Sequence, residues 1–551
     1  MAKTIDTLRT LTRAGLIAPL RPDKYLRMTA AVRRTGVSVT VGFAVAAQRC
    51  GDRIGLVDEI GELTWRELDD ECNALAAALQ DRAAGQGKDG GKGRGAIGIM
   101  CRNHRGFIEA LVAADRIGAT VLLLNTSFAG PALAEVVDRE GVDTIVYDEE
   151  FTDIVDRALA DRPTATRILA WVDEPASGPA LPHPTVADLV AEHRGRRPAK
   201  PAAGDEGSRI ILLTSGTTGT PKGARAASSG GAGELAAILG RVPWRAEQTT
   251  VIAAPMFHAW GYSQLLFSAL LACTIVTRRR FDPEATLQLV DRYRATGLVV
   301  VPVMLDRIME LPADVRDRYS GRSLRFVTAS GSRMRPDVVL DFMDRFGDVI
   351  YNNYNATEAG MIATATPADL RAAPSTAGKP ADGTEIRILD DALRPVPTGE
   401  VGQIFVRSNT LFDGYTSGTT KDFHEGFMAS GDLGRLDEDG RLFVVGRDDE
   451  MIVSGGENVY PIEVEQVLAR HPDVAEATVI GVDDEQFGQR LAAFVVLRDG
   501  AGATPDGLKQ HVRDNLANYK VPRSISVLDE LPRGSTGKIL RTELQARAQS
   551  G

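Results

Sequence analysis

Strand-forming residues lead into a run of small residues at Leu213-Thr214-Ser215-Gly216-Thr217-Thr218-Gly219-Thr220-Pro221-Lys222-Gly223. Glycines let backbone N–H groups turn toward an anion, hydroxyls add donors, and Lys222 adds positive charge. That composition suits the phosphates of a nucleotide such as ATP. It is not a Walker A loop, because Pro221 stands where that motif has its second glycine and Gly223 follows the lysine. A plain surface loop has the same composition, so the rest of the chain must decide.

The elements around this run read as α/β. Leu68, Cys72, Leu75 and Leu79 share one face of a helix predicted over 66–79. Strands at Ala96–Met100 and Ala119–Leu124 flank a helix from Arg105 to Ile117, a β-α-β rhythm that implies a parallel sheet covered by helices. Arg209–Leu213, Leu298–Val303, Arg325–Thr328 and Val349–Tyr351 repeat the strand signal. Ala83–Gly95 and Glu174–Ser208 read as surface loops, rich respectively in Gly/Lys and in Pro/Ala/Arg. Gly93-x-Gly95-x-x-Gly98 copies the dinucleotide fingerprint in letters, but a strand follows it where that motif needs a helix. After Gly446 a helix at Ile462–Arg470, strands at Ala477–Val482 and Leu491–Leu497, a helix begun by Pro505 and a strand at Ser524–Leu528 form a separate α+β unit.

The chain has 551 residues and a net charge of −10, which implies more than one packed core and argues against a nucleic-acid partner. The first forty residues depart from that balance: eight Lys or Arg against Asp6 and Asp23 give this segment +6. Leu8, Leu11, Leu16, Ile17 and Leu20 lie among those cations and suit a membrane surface. A segment packed on its own domain with a solvated basic side is the stronger expectation. Cys50, Cys72, Cys101 and Cys273 have no metal or disulfide spacing and read as buried thiols in a reducing, cytoplasmic setting.

The loop at 213–223 resembles the phosphate loop of the adenylate-forming superfamily, which includes acyl-CoA synthetases, luciferases and peptide-synthetase adenylation domains. Further matches follow in order: Pro255-Met256-Phe257-His258, Asn353-Tyr354-Asn355-Ala356-Thr357-Glu358, Gly399-Glu400-x-Gly402 with Gly414-Tyr415, Ser430-Gly431-Asp432, Gly446-Arg447, and Pro532-Arg533-x-x-x-Gly537-Lys538. They extend from about residue 63 to Arg541. The resemblance implies a large N-terminal α/β domain of several subdomains (41–447) after a basic extension (1–40), then a small mobile α+β domain (448–551).

It also implies the site. Thr214, Ser215, Gly216, Thr217, Thr218, Gly219 and Lys222 would hold the ATP phosphates, and Asn353, Tyr354, Asn355 and Ala356 the adenine side. Glu358, with Thr214, would anchor Mg²⁺, as a hard cation asks for oxygen ligands. Asp432 would accept the ribose hydroxyls and Arg447 donate to the ribose. Lys538, Thr357 and His258 would be catalytic, Thr357 at the α-phosphate and Lys538 reaching carboxylate and phosphate on a flexible stem. Asp449 matches the hinge, and Gly455, Gly456 and Asn458 a loop along the pantetheine arm of coenzyme A. Asn355 stands where most relatives have Gly, Thr126 where they have Pro, and Val453 where luciferases carry Lys.

His258 replaces the Asp that peptide-synthetase domains use for an amino group, which disfavours an amino acid. The apolar run Trp260, Leu265, Leu266, Phe267, Leu270 and Leu271 suits a fatty or other apolar carboxylic acid. Coenzyme A is the expected acceptor. An acyl-AMP ligase serving a separate carrier protein and a non-catalytic nucleotide-binding relative are the rival readings.

Overall fold

The computed structural model describes residues 2–36, 38–85, 95–128, 130–173, 181–199, 209–214, 222–225, 232–408, 411, 414–416, 420–447, 452–454, 457–484, 488–534 and 537–549. Packing divides the chain into two compact units. The first holds residues 1–374, 381–383 and 408–420; the second holds 375–380, 384–407 and 421–551. The large and small α/β parts expected from sequence are thus present, but the strands that carry Asp432 and Arg447 group with the C-terminal residues.

Two mostly parallel sheets build the first unit. In the larger, Gly360–Ala365, Ile350–Ala356, Phe326–Ala329, Gly297–Val300, Thr249–Ile252, Thr274–Thr277, Ile54–Asp58 and Gly61–Thr64 lie side by side in that order. The six-stranded sheet runs Thr166–Trp171, Val142–Asp148, Ala96–Met100, Thr120–Leu123, Ile210–Thr214 and Lys222–Arg225. Its inner strands Ala96–Met100 and Thr120–Leu123 read as apolar runs because helices cover both faces. The helix Trp65–Gly85 turns Leu68, Cys72, Leu75 and Leu79 inward, and Arg105–Arg116 is buried along its whole length. Each fully buried Leu contributes about 1.5–3 kcal/mol.

Several boundaries differ from the sequence expectation: helix Trp65–Gly85 runs past Leu79 into the stretch 83–95 read as loop, and the strand expected over Val349–Tyr351 continues to Ala356. The stretch 174–208 is not all loop: Val186–Glu192 is a helix, with the Thr185 hydroxyl accepting the Asp188 N–H and Val186, Leu189 and Val190 buried. A capping residue followed by apolar residues at helical spacing outweighed the Pro-rich surroundings. The strand expected over Leu298–Val303 stops at Val300, because Pro302 opens the helix Pro302–Glu310 at its first turn.

The N-terminal segment is stitched to the first unit. Helices Ala2–Arg13 and Pro22–Thr35 bury Leu11 and Ala31, and Arg49 donates to the carbonyls of Gly15 (2.7 Å) and Leu16 (3.2 Å). The Ala246 N–H donates to Ala14 at 2.7 Å. Of the five apolar residues singled out above, Leu11 is buried, Leu16 and Leu20 are half-buried, and Leu8 and Ile17 remain exposed.

The four cysteines are buried and free. Burial pushes the Cys50 thiol up to about 11 and Cys273 up to about 12. Cys101, His104 and Asp148 cluster within reach of one cation. Both ring nitrogens of His104 are already engaged, Nε2 with Asp148 Oδ1 at 2.7 Å and Nδ1 with the Gly106 N–H at 3.1 Å. His104 caps the helix Arg105–Arg116, and its ring nitrogens are taken up by that cap and by Asp148. Among the described residues no helix is long and apolar enough to cross a membrane.

In the second unit, one five-stranded sheet contains Glu385–Leu389, Gly402–Arg407, Phe423–His424, Phe427–Leu436 and Leu442–Arg447. Another contains Ile452–Ser454, Glu457–Val459, Val474–Asp484, Gly488–Leu497 and Ser524–Leu528. Helices Pro461–Ala469 and Pro505–Asn515 pack on the latter through Val464, Val467, Leu468, Leu508 and Val512.

Candidate active site

The phosphate-loop hairpin has described feet. Ile210–Thr214 pairs antiparallel with Lys222–Arg225, and Thr214 lies opposite Lys222. The connection is therefore strand to strand, whereas a Walker A loop leads into a helix. Ser215, Gly216, Thr217, Thr218 and Gly219 lie outside the described residues, and Thr214 and Lys222 are described by backbone alone.

Thr357 and Glu358 occupy the turn of a β-hairpin between Ile350–Ala356 and Gly360–Ala365. Gly360 takes φ +67° to close it, a conformation glycine adopts without steric cost. Glu358 is partly exposed, and its Oε1 accepts the Tyr415 hydroxyl at 2.6 Å. Asn353, on the same strand, is buried. Its amide donates to Thr328 Oγ1 (2.8 Å) and its Oδ1 accepts from Thr364 Oγ1 (3.0 Å). That side chain joins three neighbouring strands, and Tyr354 and Asn355 beside it are partly exposed. A β-bulge falls between the pairings Tyr354–Ala363 and Asn355–Met361. Asn355 Oδ1 is buried and accepts no hydrogen bond among the described residues.

The segment Pro255–His258 is set by a residue the sequence reading did not single out. Asn103 Nδ2 donates to the Ala254 carbonyl at 2.9 Å, and its Oδ1 accepts the Met256 N–H at 2.8 Å. No local motif marks Asn103; only its position just after the strand Ala96–Met100 hints at a role. A Cβ at Gly261 would collide with the Pro255 carbonyl oxygen, so the helix Ala259–Leu270 starts this close only with glycine there. His258 is the N-cap of that helix, with its ring 4.3 Å from that of Phe257. Leu265 and Leu271 are buried core, and the Trp260 indole donates to the Val300 carbonyl at 2.9 Å.

In the second unit, Asp432 and Arg447 lie directly opposite each other on adjacent antiparallel strands, with Arg447 Nη1 3.7 Å from Asp432 Oδ1. Gly431 precedes the carboxylate at φ +83°, and the Asp432 N–H donates to Ser430 Oγ at 3.1 Å. Lys421, also unmarked by any motif, joins Asp432 and Gly431 in lining a cavity of about 150 Å³.

Lys538 is exposed on a tight loop. Arg533 bridges to Ile539, the Gly534 N–H donates to the Lys538 carbonyl at 2.8 Å, and Gly537 turns at φ +75°. Arg533 Nη1 donates to the Gly537 carbonyl at 2.6 Å, while Nη2 pairs with Glu476. Asp449, Gly455 and Gly456 lie outside the described residues, and Asn458 is described by backbone alone.

The profile of the AMP-binding enzyme family matches residues 43–416, and that of its C-terminal domain matches residues 463–538. The chain belongs to the AMP-binding enzyme family. A 2-succinylbenzoate–CoA ligase of Geobacillus sp. (strain WCH70) is 31% identical over 90% of this chain and 94% of its own. A feruloyl-CoA synthase of Amycolatopsis sp. is 31% identical over 88% of this chain and 94% of its own. The solved o-succinylbenzoate–CoA synthetase of Bacillus subtilis, in complex with its acyl-adenylate intermediate, aligns with TM-score 0.74 and 27% identity. It covers 92% of this chain and 97% of its own. The chain is an enzyme of the AMP-forming ligase class, as its sequence implied.

Proposed function

We propose that this enzyme adenylates an apolar, ring-bearing carboxylic acid with ATP and passes the acyl group to coenzyme A. The observation that carries the nucleotide half is the Asp432–Arg447 pair. Two residues separated in sequence are set opposite each other by strand register, a carboxylate to accept ribose hydroxyls beside a guanidinium to donate.

The remaining roles follow the chemistry. One carboxylate oxygen of the acid attacks the α-phosphorus, and pyrophosphate leaves. Lys538 and Thr357 neutralise and orient the oxygens that gain charge, which is where preorganised donors are worth most. The loop 214–222 holds the phosphates, and Tyr354 lies against adenine. Asn355 Oδ1, an acceptor without a donor among the described residues, takes the adenine amine. Glu358, with Thr214 as the resemblance implies, would hold Mg²⁺, which would screen the phosphate charge; Glu358 Oε2 has no partner among the described residues. His258 borders the acid. Movement about Asp449 would then bring Gly455, Gly456 and Asn458 along the pantetheine arm, whose thiol displaces AMP.

Support for a ring comes from two relatives named for succinylbenzoate and ferulate, acids that both carry one. The fatty chain suggested by the run at 260–271 loses much of its support, since Leu265 and Leu271 serve the core and Trp260 is tied to Val300. Pyrophosphate release over a panel of aryl, polycyclic and long-chain acids decides the matter. Turnover of the aryl or polycyclic acids alone is expected, and preference for long-chain acids would overturn the ring-bearing assignment. Faster AMP release on adding coenzyme A is expected, and an unchanged rate would favour a carrier-protein acceptor.

We place the enzyme in the cytoplasm, in keeping with four buried free thiols. Its N-terminal helices offer Leu8, Tyr25 and Leu26, the last 74% exposed, beside Arg9 and Arg27 as a peripheral contact for anionic membrane. Co-sedimentation with phosphatidylserine vesicles is the expected result, and protein left wholly in solution would remove this contact.

A further inference from the structure

Tyr415 connects two parts of the site that lie far apart in sequence. Its ring is buried, and a buried phenol needs a hydrogen-bond partner; here the partner is Glu358 Oε1 at 2.6 Å. The backbone of the same segment pairs with the strand that leaves the phosphate loop. Tyr415 forms a β-bridge with Ala224, and the Thr416 N–H donates to the Gly223 carbonyl at 2.8 Å. Thr416 Oγ1 donates in turn to Glu140 at 2.8 Å. A Cβ on Gly223 would lie 2.7 Å from Thr416 Oγ1 and 3.0 Å from Glu140 Oε1, so these strands close on each other with no room to spare.

A phenol donating to a carboxylate at this distance makes a strong, directional, charge-assisted bond. It takes one oxygen of Glu358 and fixes the plane of the carboxylate, leaving Oε2 for a cation. The backbone that fixes Tyr415 is paired with the residues immediately following Lys222. We propose that Tyr415 is a positioning residue that holds Glu358 in register with the strand Lys222–Arg225. Cation affinity then depends on the Tyr415 hydroxyl, although that hydroxyl touches neither cation nor nucleotide. This rests on the assignment of Glu358 as a cation anchor.

Tyr415→Phe removes the hydroxyl and keeps the ring. Mn²⁺ binding in the presence of a non-hydrolysable ATP analogue, read by electron paramagnetic resonance, is expected to weaken about tenfold, a usual effect of removing a group that orients a metal ligand. Thioester formation from ready-made acyl-AMP is expected to stay at the wild-type rate, which a general loss of structure would not allow. Should the Phe variant fold poorly, a fluorinated tyrosine at 415 alters the acidity of the hydroxyl at nearly constant volume, and Mn²⁺ affinity is again expected to shift. Wild-type Mn²⁺ affinity in Tyr415→Phe, with affinity lost in Glu358→Gln, overturns the positioning role alone. Wild-type affinity in both overturns the assignment of Glu358 itself.

Discussion

Asp432 and Lys538 belong to the same compact unit and are held in opposite ways. Asp432 sits inside a strand, with Arg447 facing it across the ladder and Gly431 and Ser430 shaping the backbone before it. Lys538 projects from a loop whose base is tied by Arg533 to Gly537 and Glu476, while its own side chain stays exposed. A ribose contact needs fixed geometry, which strand register supplies. A lysine that follows charge moving from carboxylate to phosphate needs reach, which a long stem on a pinned loop supplies. On the proposed roles, one unit provides a rigid contact and a reaching one.

Substitutions can break this contrast, and the largest effect is expected at the reaching group. Lys538→Ala should lower the adenylation rate by about a hundredfold or more, the scale seen when a donor to developing charge is removed. Conversion of supplied acyl-AMP to thioester should be unchanged, and equal loss in both half-reactions would contradict separate duties. Asp432→Ala should act on binding, raising the KM for ATP by about tenfold or more, as expected for losing hydrogen bonds to a charged group. Steady-state kinetics should show the KM for the acid unaltered.

Smaller effects should follow at the base of the loop. Arg533→Met frees the Gly537 carbonyl and Glu476, and adenylation should fall by about tenfold at most with ATP affinity intact; the expected scale is that of a mispositioned group. Gly537→Ala forces a side chain into a left-handed backbone at a cost of about 1–2 kcal/mol. Its expected signature is a slightly lower melting temperature and a severalfold slower adenylation step. Were either variant as inactive as Lys538→Ala, the loop would be part of the chemistry and not its support.

How much of this was legible in sequence follows the range of each signal. Helix Trp65–Gly85 and the β-α-β unit around Arg105–Arg116 carry their periodicity within a dozen residues; the unit lies close to where it was expected, while the helix starts as expected and runs six residues further, into the stretch read as loop. The short helix Val186–Glu192 was hidden by its Pro-rich neighbours, although Thr185 and Asp188 marked its start. Asp432 and Arg447 were expected as a pair by resemblance, and the ladder sets them face to face.

The supports of the site were not legible. Asn103 with Met256, Tyr415 with Glu358, and Arg533 with Glu476 each join residues more than fifty positions apart; Met256, Glu358, Tyr415 and Arg533 lie in recognisable motifs, but no local pattern tells which distant residue each one meets. The apolar run after His258 is ambiguous for a related reason. A core helix and a substrate wall draw on the same residue types, and only packing separates them.

The central claim is that the acid is activated as its adenylate, and the fate of a carboxylate oxygen tests it most directly. With acid labelled by ¹⁸O in its carboxylate, coenzyme A and Mg·ATP, the AMP released should carry one labelled oxygen. Unlabelled AMP, or ADP with the label in inorganic phosphate, would contradict it.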